Sequence, residues 1–203
     1  MAIDTTTSDR ASLAVWDVPM PVILGERFSI KVGAKSAHGR SVHGDRIEVC
    51  DAAGAAVATG QLGPQPWTDT EALCWTTLDV PAPGEQGLVE FSVRLVTDYG
   101  ETASSRFSVA VVGRPEHRLA VTVSERATKM PLADVEIRVG AFRARTDKTG
   151  RAALSVCSGN YSLLTWLAGH YSEPRQISIT ADTSIDITML HVPEDHPDAR
   201  WVK

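Results

Sequence analysis

The sequence predicts an all-β chain made of two tandem β-sandwiches. Three observations carry that expectation. Apolar and polar residues alternate with a period of two through most of the chain, as half-buried strands require. The alternating runs are separated by turns rich in Gly, Pro, Asp and Ser, and helical periodicity is almost absent. The pattern also stops once, at "VVGRPEHRL", and then resumes.

Taken in order, "RFSIKVG" sets Phe28, Ile30 and Val32 on one face, and "RIEVCD" does the same with Ile47 and Val49. "EFSVRLV" gives Phe91, Val93 and Leu95, and "RFSVAVV" gives Phe107, Val109 and Val111. Strands with one apolar face need a second sheet to cover it. The first half therefore reads as an immunoglobulin-like β-sandwich. "GPQPWTDTEALCW" is its least regular stretch and reads as a long loop leading into a strand, with Trp75 packed. Gly113 and Pro115 mark a short, stiff linker. Beyond it, further strands are centred on Leu119/Val121/Val123, Val135/Ile137/Val139, Phe142/Ala144, Leu154/Val156, Tyr161/Leu163, Ile177/Ile179 and Ile185/Ile187/Met189. The expected organisation is a flexible N-terminus (1–12), a first sandwich (13–112), a linker (113–117), a second sandwich (118–190) and an extended tail (191–203).

Four marks in the second half, "PLADVEIRV", "TDKTGRAAL", "SGNYSL" and "AGHY", occur in an order and spacing that resembles the carboxypeptidase regulatory-like domain, a small transthyretin-type sandwich. The resemblance covers about residues 117–190. It implies a module that contributes no catalytic residue of its own. Related adhesin repeats often carry a Lys–Asn cross-link, but the single Asn of this chain, Asn160, is expected in a turn. Transthyretin-like hydrolases end in Tyr-Arg-Gly-Ser, whereas this sequence ends "DARWVK". Folding alone accounts for the marks: Asp147 accepts backbone N–H bonds in a tight turn, Gly150 and Gly159 permit sharp turns, and Tyr161 brings a large apolar face.

A net charge of −5 without a dense basic run argues against a nucleic-acid partner. No run reaches the length of a membrane span, and the N-terminus lacks the pattern of a secretory signal, so the expectation is a cytoplasmic protein. Three cysteines, Cys50, Cys74 and Cys157, do not form a disulfide framework and are expected to be reduced. Phosphate loops, nucleophile elbows, zincin helices and Cys-x-x-Cys pairs are missing, so no enzyme activity, cofactor or bound metal is expected.

Two polar constellations have the composition of metal sites: His38, His43 and Asp45 in "SAHGRSVHGD", and His191, Glu194, Asp195, His196 and Asp198 in the tail. Each reads more simply as a solvated loop or chain end. The remaining candidates belong to a partner surface: Trp67, His38 and His43 in the first half, and Arg200 and Trp201 in the tail, where an exposed aromatic has the form of a docking anchor. The function read from the sequence is a non-catalytic binding or scaffolding module, an accessory subunit of a larger protein complex. An extracellular adhesin or carbohydrate-binding fragment, with Trp67, Trp75 and Trp166 able to stack on sugars, is the first alternative, and a metal-dependent hydrolase using one of the His clusters the second.

Overall fold

The computed structural model describes residues 11–37, 40–68, 70, 73–97 and 100–192, the side chains of 100–102 excepted. These residues form an all-β protein with no helix among them, hence none long and apolar enough to cross a membrane. The chain divides into two compact units, Met1–Val112 and Gly113–Lys203.

The first unit holds β1 (Ala11–Trp16), β2 (Val22–Ile23), β3 (Arg27–Ser36), β4 (Arg46–Cys50), β5 (Ala56–Gln61), β6 (Cys74–Pro81), β7 (Gly87–Thr97) and β8 (Gly100–Val112). They build a three-stranded sheet, β1-β3-β6, and a five-stranded sheet, β2-β8-β7-β4-β5. The alternation read from the sequence becomes the inner faces of this immunoglobulin-like sandwich. Phe28, Ile30 and Val32 from one sheet meet Ile47, Val49, Phe91, Val93, Leu95 and Val109 from the other in one apolar cluster. Phe28 and Phe91 touch edge to face at 6.0 Å, linking the two layers. Strand β1 begins at Ala11, inside the segment expected to be flexible. Its Leu13 and Val15 pair with Ala34 and Val32 and pack on the core, so burial extends the fold by two residues.

The second unit holds β9 (His117–Glu125), β10 (Glu136–Val139), β11 (Phe142–Arg145), β12 (Arg151–Val156), β13 (Gly159–Trp166), β14 (His170–Tyr171), β15 (Arg175–Ile179) and β16 (Thr183–His191). Two four-stranded sheets result, β11-β10-β13-β15 and β12-β9-β16-β14. All ladders here are antiparallel except β16 on β9, which is parallel and runs from Thr183↔Leu119 to Met189↔Glu125. Leu119, Val121, Val123, Ile137, Val139, Leu163, Ile179 and Met189 are buried between the layers. His117, expected in the linker, starts β9, and His191, expected in the tail, ends β16.

The turn between β11 and β12 explains the "TDKTG" mark. Asp147 Oδ1 accepts from the Thr149 N–H (2.8 Å), the Thr149 hydroxyl (2.6 Å) and the Arg151 N–H (3.1 Å). Gly150 follows at φ +73°, and a Cβ there would lie 2.5 Å from the Val123 carbonyl oxygen. Its own carbonyl accepts from the Val123 N–H at 2.7 Å, so the turn is bonded directly to β9.

Candidate partner-binding surface

The outward residues of β3 are Ser29, Lys31, Gly33 and Lys35, because Phe28, Ile30, Val32 and Ala34 face the core. Cross-strand pairing sets Trp16 opposite Lys31 and Trp75 opposite Gly33. Without a side chain at Gly33, Trp16 can approach the sheet closely: a Cβ there would meet its ring at 2.9 Å and Leu73 at 3.0 Å. Trp67 completes the group from the loop above. Its ring meets Trp16 at 5.0 Å and Trp75 at 4.9 Å, both edge to face. Its backbone N–H bonds the Leu73 carbonyl at 2.8 Å. The Lys31 ammonium sits 4.9 Å from the Trp67 ring and bonds Asp17 Oδ2 at 2.6 Å. All three indoles are half-buried against one another. Trp67 is thus committed to a satellite cluster on the outside of the sheet. Sequence reasoning missed Trp16 and Lys31; the Gly inside an otherwise regular strand was the available signal.

His43 is exposed on the neighbouring loop. That loop is tied to the first by Gly44 N–H to Leu62 O (2.9 Å) and by Leu62 N–H to Asp45 O (3.0 Å). Asp45, which follows the two histidines in sequence, is paired with Arg40 at 2.8 Å, a guanidinium that competes with any cation for it. His38, Arg200 and Trp201 lie outside the described residues, as do Glu194, Asp195, His196 and Asp198. Among the described residues no group of three or more His, Cys, Asp or Glu is arranged to hold a metal ion.

A different face of the second unit is apolar on the outside. In β13, Leu163 and Thr165 point inward, which turns Leu164 and Trp166 outward, where they are 42 % and 51 % exposed. Across the ladder Leu164 lies opposite Arg138 and Trp166 opposite Glu136; one strand further on stand Arg143 and Arg145. Glu136 bonds Arg138 Nε at 2.6 Å and Arg143 Nη1 at 3.3 Å. The Arg138 bond is the main reason its carboxyl is held below the usual glutamate range, with Arg143 adding to it against an opposing desolvation. Glu136, Arg138, Leu164, Thr165 and Trp166 line a surface depression. Of the tryptophans among the described residues, Trp166 alone presents more than half its surface to water.

One cluster has the composition of catalytic machinery but not its arrangement. His117 Nε2 and Ser158 Oγ are 2.8 Å apart, and Ser158 Oγ lies 3.4 Å from Glu116 Oε2. In a nucleophile triad the carboxylate orients the far nitrogen of the imidazole, leaving the near one free to take the hydroxyl proton. Here the carboxylate contacts the serine, which then donates to Glu116 and accepts from the imidazole, the wrong polarity for a general base. Cys157 beside it donates to the Gly113 carbonyl (3.2 Å), and burial, then Glu116, pushes its pKa up, which suppresses the thiolate. All three cysteines are free thiols. Cys50 is buried and accepts from Arg94 Nη2 at 2.8 Å.

No family model matches the sequence, and no curated protein matches it. Among solved structures the chain is similar to BcpA, the major pilin subunit of Bacillus cereus, at 10 % identity over 90 % of this chain and 70 % of that one, with a TM-score of 0.32. It is similar to the CARDB domain of a Pyrococcus furiosus protein at 17 % identity over 51 % of this chain and 97 % of that one (TM-score 0.35). It is also similar to the Yersinia pseudotuberculosis adhesin InvE at 12 % identity, over 85 % of this chain and 60 % of that one (TM-score 0.35). At such identities and TM-scores these likenesses carry no argument about function.

Proposed function

We propose that this protein is a non-catalytic binding module, an accessory subunit of a larger protein complex, and that it docks through the outer face of the β11-β10-β13-β15 sheet. The observation that carries the reading is Trp166, exposed beside Leu164 and bordered by Arg138, Arg143 and Arg145. Trp and Arg are the residue types that dominate interface energy, and leaving an indole largely in water is costly unless a partner covers it. Three guanidiniums against one carboxylate favour a partner with an acidic surface. The free cysteines support a reducing, cytoplasmic setting. The bonded Asp147–Gly150 turn, which falls at the "TDKTG" mark, supports assignment of the second unit as a carboxypeptidase regulatory-like sandwich.

The test is affinity capture of the intact chain at low salt, run in parallel with Leu164→Ser/Trp166→Ser. Wild type is expected to retain defined chains that the double variant loses, with both proteins showing the same melting temperature. A wild-type monomer with no associated chain, or unchanged capture by the variant, overturns the reading. A chain ending at Val192 shows whether Arg200 and Trp201 contribute, and Trp67→Ser and His43→Ala test the loops of the first unit.

A further inference from the structure

At one end of the second sandwich, β14 lies along β16 as an edge strand, with His170 directly opposite His191. The Val192 N–H donates to the Gly169 carbonyl at 2.8 Å. That bond connects the residues flanking the pair, which makes His170/His191 a non-hydrogen-bonded pair, the antiparallel position where facing side chains come closest. The imidazole centroids are 5.1 Å apart, with ring planes at 61°. His170 Nδ1 lies 3.1 Å from the Ala168 carbonyl. A carbonyl only accepts, so Nδ1 is the donor, and in the neutral imidazole this leaves the lone pair on Nε2. A backbone carbonyl on the far nitrogen is the device that fixes the tautomer of metal-ligating histidines.

We propose that His170 and His191 form a two-donor site for a divalent late transition-metal ion of the Zn, Ni or Cu group, with water in the remaining positions. The spacing fits. With a metal–nitrogen bond of about 2.1 Å and about 1.1 Å from nitrogen to ring centre, two imidazoles at about 109° on one ion have centroids about 5.2 Å apart. Imidazole donors select these metals over Mg and Ca, which prefer oxygen. His191 is exposed and His170 half-buried at a sheet edge, so the ion has an open approach. The Leu167–His170 turn, closed by His170 N–H to Leu167 O at 3.1 Å, holds one donor in place before metal arrives. An ion bound here clips the edge strand β14 to β16.

Calorimetric titration of the intact protein with Zn²⁺, and separately with Ni²⁺, tests the site. One ion per chain is expected, with affinity falling at least about tenfold in His170→Ala and in His191→Ala, since each leaves a single imidazole. His43→Ala and His196→Ala are expected to bind as wild type does. Far-ultraviolet circular dichroism of the metal-free variants verifies that both remain folded. Unchanged affinity in His170→Ala and His191→Ala overturns the proposal, as does loss of binding in His196→Ala alone, which would locate the ion in the tail. The same titration with Mg²⁺ is expected to show no binding at this site.

Discussion

Asp147 shows how one exposed side chain closes a turn by gathering three donors. The Thr149 hydroxyl is the main cause holding its carboxyl below the ordinary aspartate value, followed by the Arg151 and Thr149 N–H groups. Because the pKa is lower in the folded chain, ionised Asp147 favours folding. The contribution is fully present above the unfolded value of about 4 and is lost as pH falls through the folded value. Asp147→Asn is therefore expected to lower the urea midpoint at pH 7, with the gap to wild type narrowing below about pH 4; a gap that stays constant on acidification would contradict this. The role was legible in "TDKTG" because the chemistry is local: an acceptor, two residues to the next donor, and a Gly able to take positive φ. Trp67 reads from the sequence as a candidate for a partner surface, and its place in a tryptophan cluster is not legible there. Its neighbours Trp16 and Trp75 come from strands brought together only by sheet pairing, 51 and 8 residues away in sequence.

Inner faces of strands announce themselves by alternation, and outer faces do not. Ile30, Val93 and Ile137 were identifiable as core because their neighbours are polar. The outward pair Leu164 and Trp166 sits in "YSLLTW", where the apolar residues fall on both faces, and only the burial of Leu163 settles which face is inside. The same limit hid the platform on β3. Gly33→Ala is expected to lift Trp16 from the sheet, costing about 1–3 kcal/mol by overpacking and altering the near-ultraviolet circular dichroism of the indoles. Thermal melting and that spectrum measure both, and an unchanged spectrum would show that Trp16 does not rest on Gly33. The Leu164/Trp166 face and the His170/His191 pair are likewise products of register. Arg138 meets Leu164, and His170 meets His191, across ladders whose pairing no local signal states.

For the chain as a whole, the tandem all-β organisation was readable because alternation halts at Gly113 and restarts, whereas the placement of strands in sheets was not. Each unit buries its own apolar faces; the cluster around Ile30, Val93 and Val109 draws on residues of the first unit alone. Fragments 1–112 and 113–203 are therefore expected to fold separately, each unfolding cooperatively in urea. A fragment with no cooperative transition would show that its sandwich depends on the other. The parallel pairing of β16 with β9 adds an ordering in time. β9 is the first strand of the second unit and β16 the last one described, yet they lie side by side at the centre of the sheet β12-β9-β16-β14. On the ribosome, β9 and β12 must then wait with one edge open until Thr183–His191 emerges, while the first sandwich, complete at Val112, is free to close long before.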